Sequence, residues 1–269
     1  MDDQPLNEGL DDKPVSESED TKPVNLEIED VKESAEVKNL RYYGKRSLGF
    51  LKWTALFFFG STLFVEVLFT FLNPPVTPLM IKRVIEQKVN GKKACLKKKW
   101  MPIEKISPYM AKAVVASEDN RFLEHWGIDV QAIEKAVEYN KRHRRKHGAS
   151  TITQQVAKNV FLWPARTWLR KGFELYFTVS IDLIWSKKRI MEVYLNVLET
   201  GDGIYGVEAA AEKYFHKSAQ RLTPGESALI AACLPNPRKR NPAVPTSYLL
   251  RRQAMILNLM NKIGEVKFR

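Results

Sequence analysis

Ser117-Glu118-Asp119-Asn120-Arg121-Phe122-Leu123-Glu124-His125-Trp126-Gly127 is the stretch whose reading decides the fold. It sets two adjacent carboxylates, an aromatic ring, a histidine and a glycine at short fixed offsets. If the stretch is helical, Glu118, Phe122 and His125 lie within roughly 60° of one another at about 100° per residue. One face then carries a carboxylate, a ring and a histidine, and the glycine turn aims that face into a cleft. Upstream, Ser107-Pro108 reads as a helix start with proline at the first helical position. Met110, Ala113, Val114 and Ser117 then recur at helical spacing.

Working outward, residues 79–87, 129–139, 151–161, 168–185, 187–196, 207–215, 223–234 and 246–263 read as helices, with Pro164 closing one of them. Residues 88–99 form a basic loop, and Gly201, Gly203 and Gly206 another. No sustained alternation or internal repeat is present, although short strands within 76–100 stay open. The expected class is mainly α.

The N-terminal part has a different character. Residues 2–36 hold 13 acidic and 3 basic residues, so the rest of the chain carries +22 of the net +12. That segment reads as a disordered acidic tail. Residues 49–72 are almost continuously apolar and end at Asn73-Pro74-Pro75, long enough to cross about 30 Å of hydrocarbon. The run starts too late and is too long for a signal peptide. Lys38, Arg41, Lys45, Arg46 and Lys52 precede it, which puts that side in the cytoplasm. Glu66 inside the run either faces a partner helix or is a tolerated single carboxylate. The expected layout is a tail over 1–37, a basic flank and anchor over 38–73, a linker over 74–99 and a domain over 100–269. Cys95 and Cys233 either pair or stay free; Cys233 sits in an apolar run that suits a small buried thiol. No CxxC or His-rich spacing suggests a structural metal.

Two further stretches carry chemistry. In Gly148-Ala149-Ser150-Thr151-Ile152-Thr153-Gln154-Gln155-Val156-Ala157-Lys158-Asn159, Ser150 and Thr151 are natural helix caps. A helix starting there offers free N–H groups to a phosphate oxygen. Thr151, Gln154 and Lys158 share a face and would form a stripe of donors. In Arg170-Lys171-Gly172-Phe173-Glu174, Arg170 and Glu174 are spaced for a helix salt bridge.

These stretches, in this order, resemble the signature motifs of the peptidoglycan glycosyltransferases, the family that polymerises lipid II into glycan strands and whose module also occurs in class A penicillin-binding proteins. Lys187-Lys188-Arg189-Ile190-Met191-Glu192-Val193-Tyr194-Leu195-Asn196 resembles a fourth motif, read as mainly structural, and the run from Gly201 through Phe215 a fifth. The resemblance extends over about 100–242. Ala149 stands where a second glycine is common and Met191 where leucine is common.

The resemblance implies a lysozyme-like helical domain with a smaller membrane-facing jaw around 128–175, preceded by one transmembrane helix. Phe161, Leu162, Trp163, Trp168 and Leu169 sit either at the lipid interface or in the core. It implies a monofunctional biosynthetic member: Ser180 and Ser218 lack the Ser-x-x-Lys pattern of a transpeptidase, so none is expected. It gives Glu118 the proton of the acceptor 4-hydroxyl and makes Glu174 a second catalytic carboxylate. Asp119, Phe122 and His125 build the site, and Ser150, Thr151, Gln154, Gln155, Lys158, Asn159, Arg166 and Arg170 contact substrate, with Lys158 and Arg166 on the diphosphate.

No cofactor is required by the sequence, and a divalent cation, magnesium or manganese, near the diphosphate stays open. The implied partners are lipid II, the growing lipid-linked glycan chain and the membrane, with other cell-wall synthesis or division proteins open. The implied location is the bacterial plasma (inner) membrane, single-pass, with the domain periplasmic or extracellular. Nucleic acid explains the +22 charge less well than anionic lipid and diphosphate do. The rivals are a lysozyme-like hydrolase or lytic transglycosylase, which needs no cations for a diphosphate, and a non-catalytic membrane scaffold, which needs no Glu118.

Overall fold

Pro23 is followed by fifty residues without a proline, and a single helix, α1 (Val24–Phe71), occupies almost all of them in the computed structural model. The structure describes residues 24–144, 147–165 and 167–268. Residues 24–37 are therefore helical, which corrects the expectation of a disordered tail through residue 37. Leu26, Glu27, Glu29, Lys32, Glu33, Ala35 and Glu36 are all good helix formers. The remainder of the expected tail, 1–23, lies outside the described residues. The chain divides into two compact units, 1–60 and 61–269. In the first, α1 exposes Phe50 and Phe57 (each 76%). Among the described residues one helix is long and apolar enough to cross a membrane, over Asn39–Phe71 with mean hydropathy 1.8.

The second unit begins with the last turns of α1. Its helices are α2 (Pro78–Val89), α3 (Pro108–Glu118), α4 (Val130–Arg142), α5 (Ile152–Phe161), α6 (Trp168–Ile184), α7 (Lys187–Val197), α8 (Val207–Phe215), α9 (Pro224–Cys233) and α10 (Ser247–Lys262). Each begins close to where the sequence placed it, because the caps are local: Thr77, Asp129, Thr151, Thr167, Ser186, Thr223 and Thr246 all accept a backbone N–H of the first turn. Glu66 faces a helix of its own chain. The residue is fully buried, its Oε1 accepts from Ser180 Oγ at 2.6 Å and its carbonyl accepts from Trp185 Nε1 at 2.8 Å. Thr62 Oγ1 and Tyr176 Oη meet at 2.8 Å one turn earlier. Arg189 closes the helix end by donating to the carbonyls of Phe69 (2.9 Å) and Leu72 (2.6 Å). The helix thus binds α6 and α7 along a polar seam.

α3 is nearly all core: Met110, Ala111, Ala113, Val114, Val115 and Ala116 are buried against α9 and α10. The alanines of α3 and α9 let the backbones approach closely. α5 packs on α6 and α7. Three short strands form a sheet in the order β1 (Lys97–Lys98), β3 (Ile204–Tyr205), β2 (Glu199–Gly201), with β1 parallel and β2 antiparallel to β3. They are too short to show alternation. Of the glycines expected in a loop, Gly201 ends β2, Gly203 lies in the tight turn between β2 and β3, and Gly206 caps α8. Gly203 has φ +72°, and a Cβ there would lie 2.4 Å from the Cys95 carbonyl oxygen. Both cysteines are free, and Cys233 is buried. The candidate interface residues divide: Leu162 is core (2% exposed) and Phe161 stacks on Phe177 at 4.8 Å, while Trp163 (44%), Leu169 (67%) and Trp168 (92%) face outward.

Candidate active site

The opening motif does not continue as a helix. α3 ends at Glu118, Asp119 is its C-cap with φ −160°, and turns fill 120–126. Glu118, Phe122 and His125 therefore do not share a helical face. The cause is tertiary: Asp119 leaves the helix to accept the first backbone N–H of α5, Ile152 N, at 3.0 Å, and His125 Nε2 at 2.9 Å. Gly127 (φ +73°) approaches Thr178 so closely that a Cβ would be 3.0 Å from it, and its carbonyl accepts from Thr151 Oγ1 at 2.5 Å. The first two motifs are stitched together by these bonds. Phe122 is fully buried beneath Lys187, whose Nζ lies 4.9 Å from the ring centre. That ring belongs to the hydrophobic core and does not line the cleft. Lys187 also donates to the His125 carbonyl and to Asp182, each at 2.7 Å. His125 Nδ1 is buried with no partner, so the ring's proton belongs on Nε2, toward Asp119.

Glu118 is half-buried at the edge of an open cleft of about 390 Å³ that also takes in Asn120, Lys135, Tyr139, His147 and Ser150. Its Oε2 accepts from Gln155 Nε2 at 3.0 Å. Burial pushes the Glu118 carboxyl above the usual carboxylate range; the Gln155 hydrogen bond and the charge of Arg252 oppose this, and Asp119 adds to it. A carboxylate with raised proton affinity and access to a cleft is suited to accept a proton.

The expected donor stripe on α5 is not there. Thr151 and Gln154 are buried and form a capping box: Gln154 N donates to Thr151 Oγ1 (3.1 Å) and Thr151 N to Gln154 Oε1 (3.0 Å). With Ile152 N taken by Asp119, three backbone donors at this end are used inside the protein and not offered to a phosphate. Gln155 turns to Glu118. Ser150 and Lys158 are exposed and Asn159 is partly so. Arg166 lies outside the described residues.

Glu174 is buried on α6 between two cations. Arg170 Nη1 meets its Oε2 at 2.5 Å and Lys171 Nζ meets its Oε1. The helix salt bridge is present, and Lys171, not singled out in the sequence, joins it. A carboxylate engaged on both oxygens holds cations in place and is poorly placed to take a proton. Asp119, His125 and Asp129 have ligand atoms within 4.8 Å of one another. They do not fit a divalent cation: Asp119 is committed to His125 and Ile152, and Asp129 accepts from Ala132 N (2.9 Å) and Arg121 (3.3 Å).

Sequence reasoning missed Arg252, which reaches the electrostatic field of Glu118 from α10, and the stack of Tyr139 between His143 and His147 (3.8 and 4.1 Å) beside the cleft. Nothing in the local pattern marks either. Tyr194 lies in the fourth motif, read only for packing, yet its hydroxyl bonds to Gln155 Oε1 at 3.2 Å.

A family model described as Transglycosylase matches residues 85–261, which take in α3 through most of α10 and every described residue of the cleft. The chain belongs to the transglycosylase family. Its helical domain is accordingly a lysozyme-like transglycosylase domain, and the match begins within α2. Curated relatives of this transglycosylase named biosynthetic peptidoglycan transglycosylase include one from Bacteroides thetaiotaomicron, 52% identical over 219 residues, covering 81% of this chain and 88% of the relative. Another, from Bdellovibrio bacteriovorus, is 53% identical over 210 residues, covering 77% and 84%. One from Escherichia coli is 48% identical over 203 residues, covering 75% and 84%.

Proposed function

We propose that this transglycosylase polymerises lipid II into peptidoglycan glycan strands by inverting glycosyl transfer. Glu118 takes the proton of the acceptor 4-hydroxyl as that oxygen attacks the anomeric carbon of the lipid-linked donor. The anomeric C–O bond breaks, and the polyprenyl diphosphate leaves with the electron pair. The observation that carries this reading is Glu118 itself: a carboxylate ending a core helix, open to a cleft, with burial raising its proton affinity and Gln155 engaging one oxygen. Its other oxygen is the one to take the proton.

Negative charge grows on the departing diphosphate, so fixed cations stabilise the transition state more than the ground state. Lys158, Arg166 and Arg170 are assigned to it. Glu174 is given a positioning role, since its two ion pairs hold Arg170 and Lys171. Residues 39–71 anchor the protein in the bacterial inner membrane, with the N-terminus cytoplasmic because Lys38, Arg41, Lys45, Arg46 and Lys52 precede or open the apolar run. The domain then works outside, on lipid II and the growing chain.

The test is incubation of purified protein with labelled lipid II, resolving products by length. Wild type should elongate lipid II and release no fragments from mature wall. Lys158→Ala and Arg166→Ala should each depress polymerisation tenfold or more, equivalent to about 1.4 kcal/mol of transition-state stabilisation. Digestion of wall with no use of lipid II would replace this reading with the lysozyme-like hydrolase.

A further inference from the structure

We infer that Tyr194 is a positioning residue for the transfer reaction, acting through Gln155 to hold a hydrogen-bond donor on Glu118. This inference rests on the proposed role of Glu118 as the base. The geometry is a chain of two bonds across three helices. The Tyr194 hydroxyl, on α7, donates to Gln155 Oε1 at 3.2 Å, and Gln155 Nε2, on α5, donates to Glu118 Oε2, at the end of α3, at 3.0 Å. Tyr194 is fully buried, and burial together with the nearby charges of Glu118 and Asp119 pushes its phenol far above the ordinary range, so the hydroxyl keeps its proton.

An ionised carboxylate only accepts, so it requires the NH₂ end of the Gln155 amide. That places the amide oxygen toward α7, where it needs a donor. A tyrosine hydroxyl supplies one; a phenylalanine ring would not. The acceptor's proton goes to Oε1, so Oε2 accepts from Gln155 before and after the transfer, and the Tyr194 hydroxyl holds the amide in the orientation that offers its NH₂. That bond is stronger to the ionised carboxylate than to the neutral acid, so it favours the ionised base.

Other groups act on the same carboxylate. Asp119 lies beside it on the chain, and Arg252 approaches from α10. Asp129, Lys135 and His147 line the same cleft. From α9, Glu226 is turned to Lys217. None of these replaces a donor on Gln155 Oε1, so the effect of Tyr194 is separable from theirs.

The experiment is the pH profile of kcat for lipid II polymerisation by full-length protein in detergent, for wild type, Tyr194→Phe, Gln155→Leu and Glu118→Gln. Tyr194→Phe keeps the buried ring, and its thermal unfolding confirms the fold. Its acid limb should move to higher pH by about 0.5 or more, with kcat on the high-pH plateau within a few-fold of wild type and KM unchanged. Gln155→Leu, which removes the charge-assisted bond itself, should move the limb further, by about 1 or more. An unmoved acid limb in folded Tyr194→Phe, with Glu118→Gln inactive, overturns the relay and leaves the base assignment standing. An active Glu118→Gln overturns both.

Discussion

Asp119→Ala is expected to weaken the fold by stranding the donors that this one carboxylate serves. Asp119 is buried and accepts from two buried donors, Ile152 N at 3.0 Å and His125 Nε2 at 2.9 Å. Truncation leaves both without a partner. A stranded buried donor costs about 1–3 kcal/mol, so the pair costs about 2–6 kcal/mol. Domains of this kind have about 5–15 kcal/mol in total. Asp119→Asn sharpens the test. Its oxygen can serve Ile152, but its NH₂ then faces His125 Nε2. Accepting there would put the histidine proton on Nδ1, which is buried with no partner. Asn should therefore cost about 1–3 kcal/mol, between wild type and Ala. The measurement is urea unfolding of full-length protein in detergent, read as a change in midpoint at constant slope. An Ala variant within about 0.5 kcal/mol of wild type, or an Asn variant less stable than Ala, would refute the role given to Asp119. Polymerisation should fall with stability in the Ala variant, because the bond it loses to Ile152 N docks the Gln155 helix beside Glu118.

Glu118→Gln should lower polymerisation by about 10²- to 10⁴-fold, since an amide cannot take the proton. The same change should raise stability at pH 7. The folded state holds the Glu118 proton more tightly than the unfolded chain, so ionisation disfavours the fold above the raised pKa and has no effect below the unfolded value of 4.5. The stability advantage should thus disappear as pH falls below 4.5; an advantage equal at pH 4 and pH 7.5 would contradict the burial argument. Gly203→Ala should destabilise the protein by about 1–3 kcal/mol, through positive φ and a Cβ 2.4 Å from the Cys95 carbonyl oxygen. Gly91→Ala, also at positive φ but in open space, should cost less. Equal melting temperatures for the two variants would show that the close approach to Cys95 is not rigid.

The sequence by itself determined the elements whose causes are local. Asp129, Thr151, Thr223 and Thr246 start helices because a cap bonds within its own first turn, and Pro108 starts α3 because its ring suits the first helical position. The apolar run ending at Asn73-Pro74-Pro75 is legible because bilayer thickness is a length. Glu118 was legible as the candidate base from its neighbours at fixed offsets. Tertiary structure decided what those residues touch. Helical spacing put Phe122 and His125 beside Glu118, but Asp119 bonds to α5 and ends the helix, which sends Phe122 into the core. Thr151 and Gln154 had the composition of a phosphate site and are spent on each other. Glu66 acquired a partner from Ser180, and Glu118 a field from Arg252, each more than a hundred residues away. Sequence spacing reports which side chains share a turn, whereas the partners of a buried polar group are set by whichever distant elements must satisfy it once water is gone.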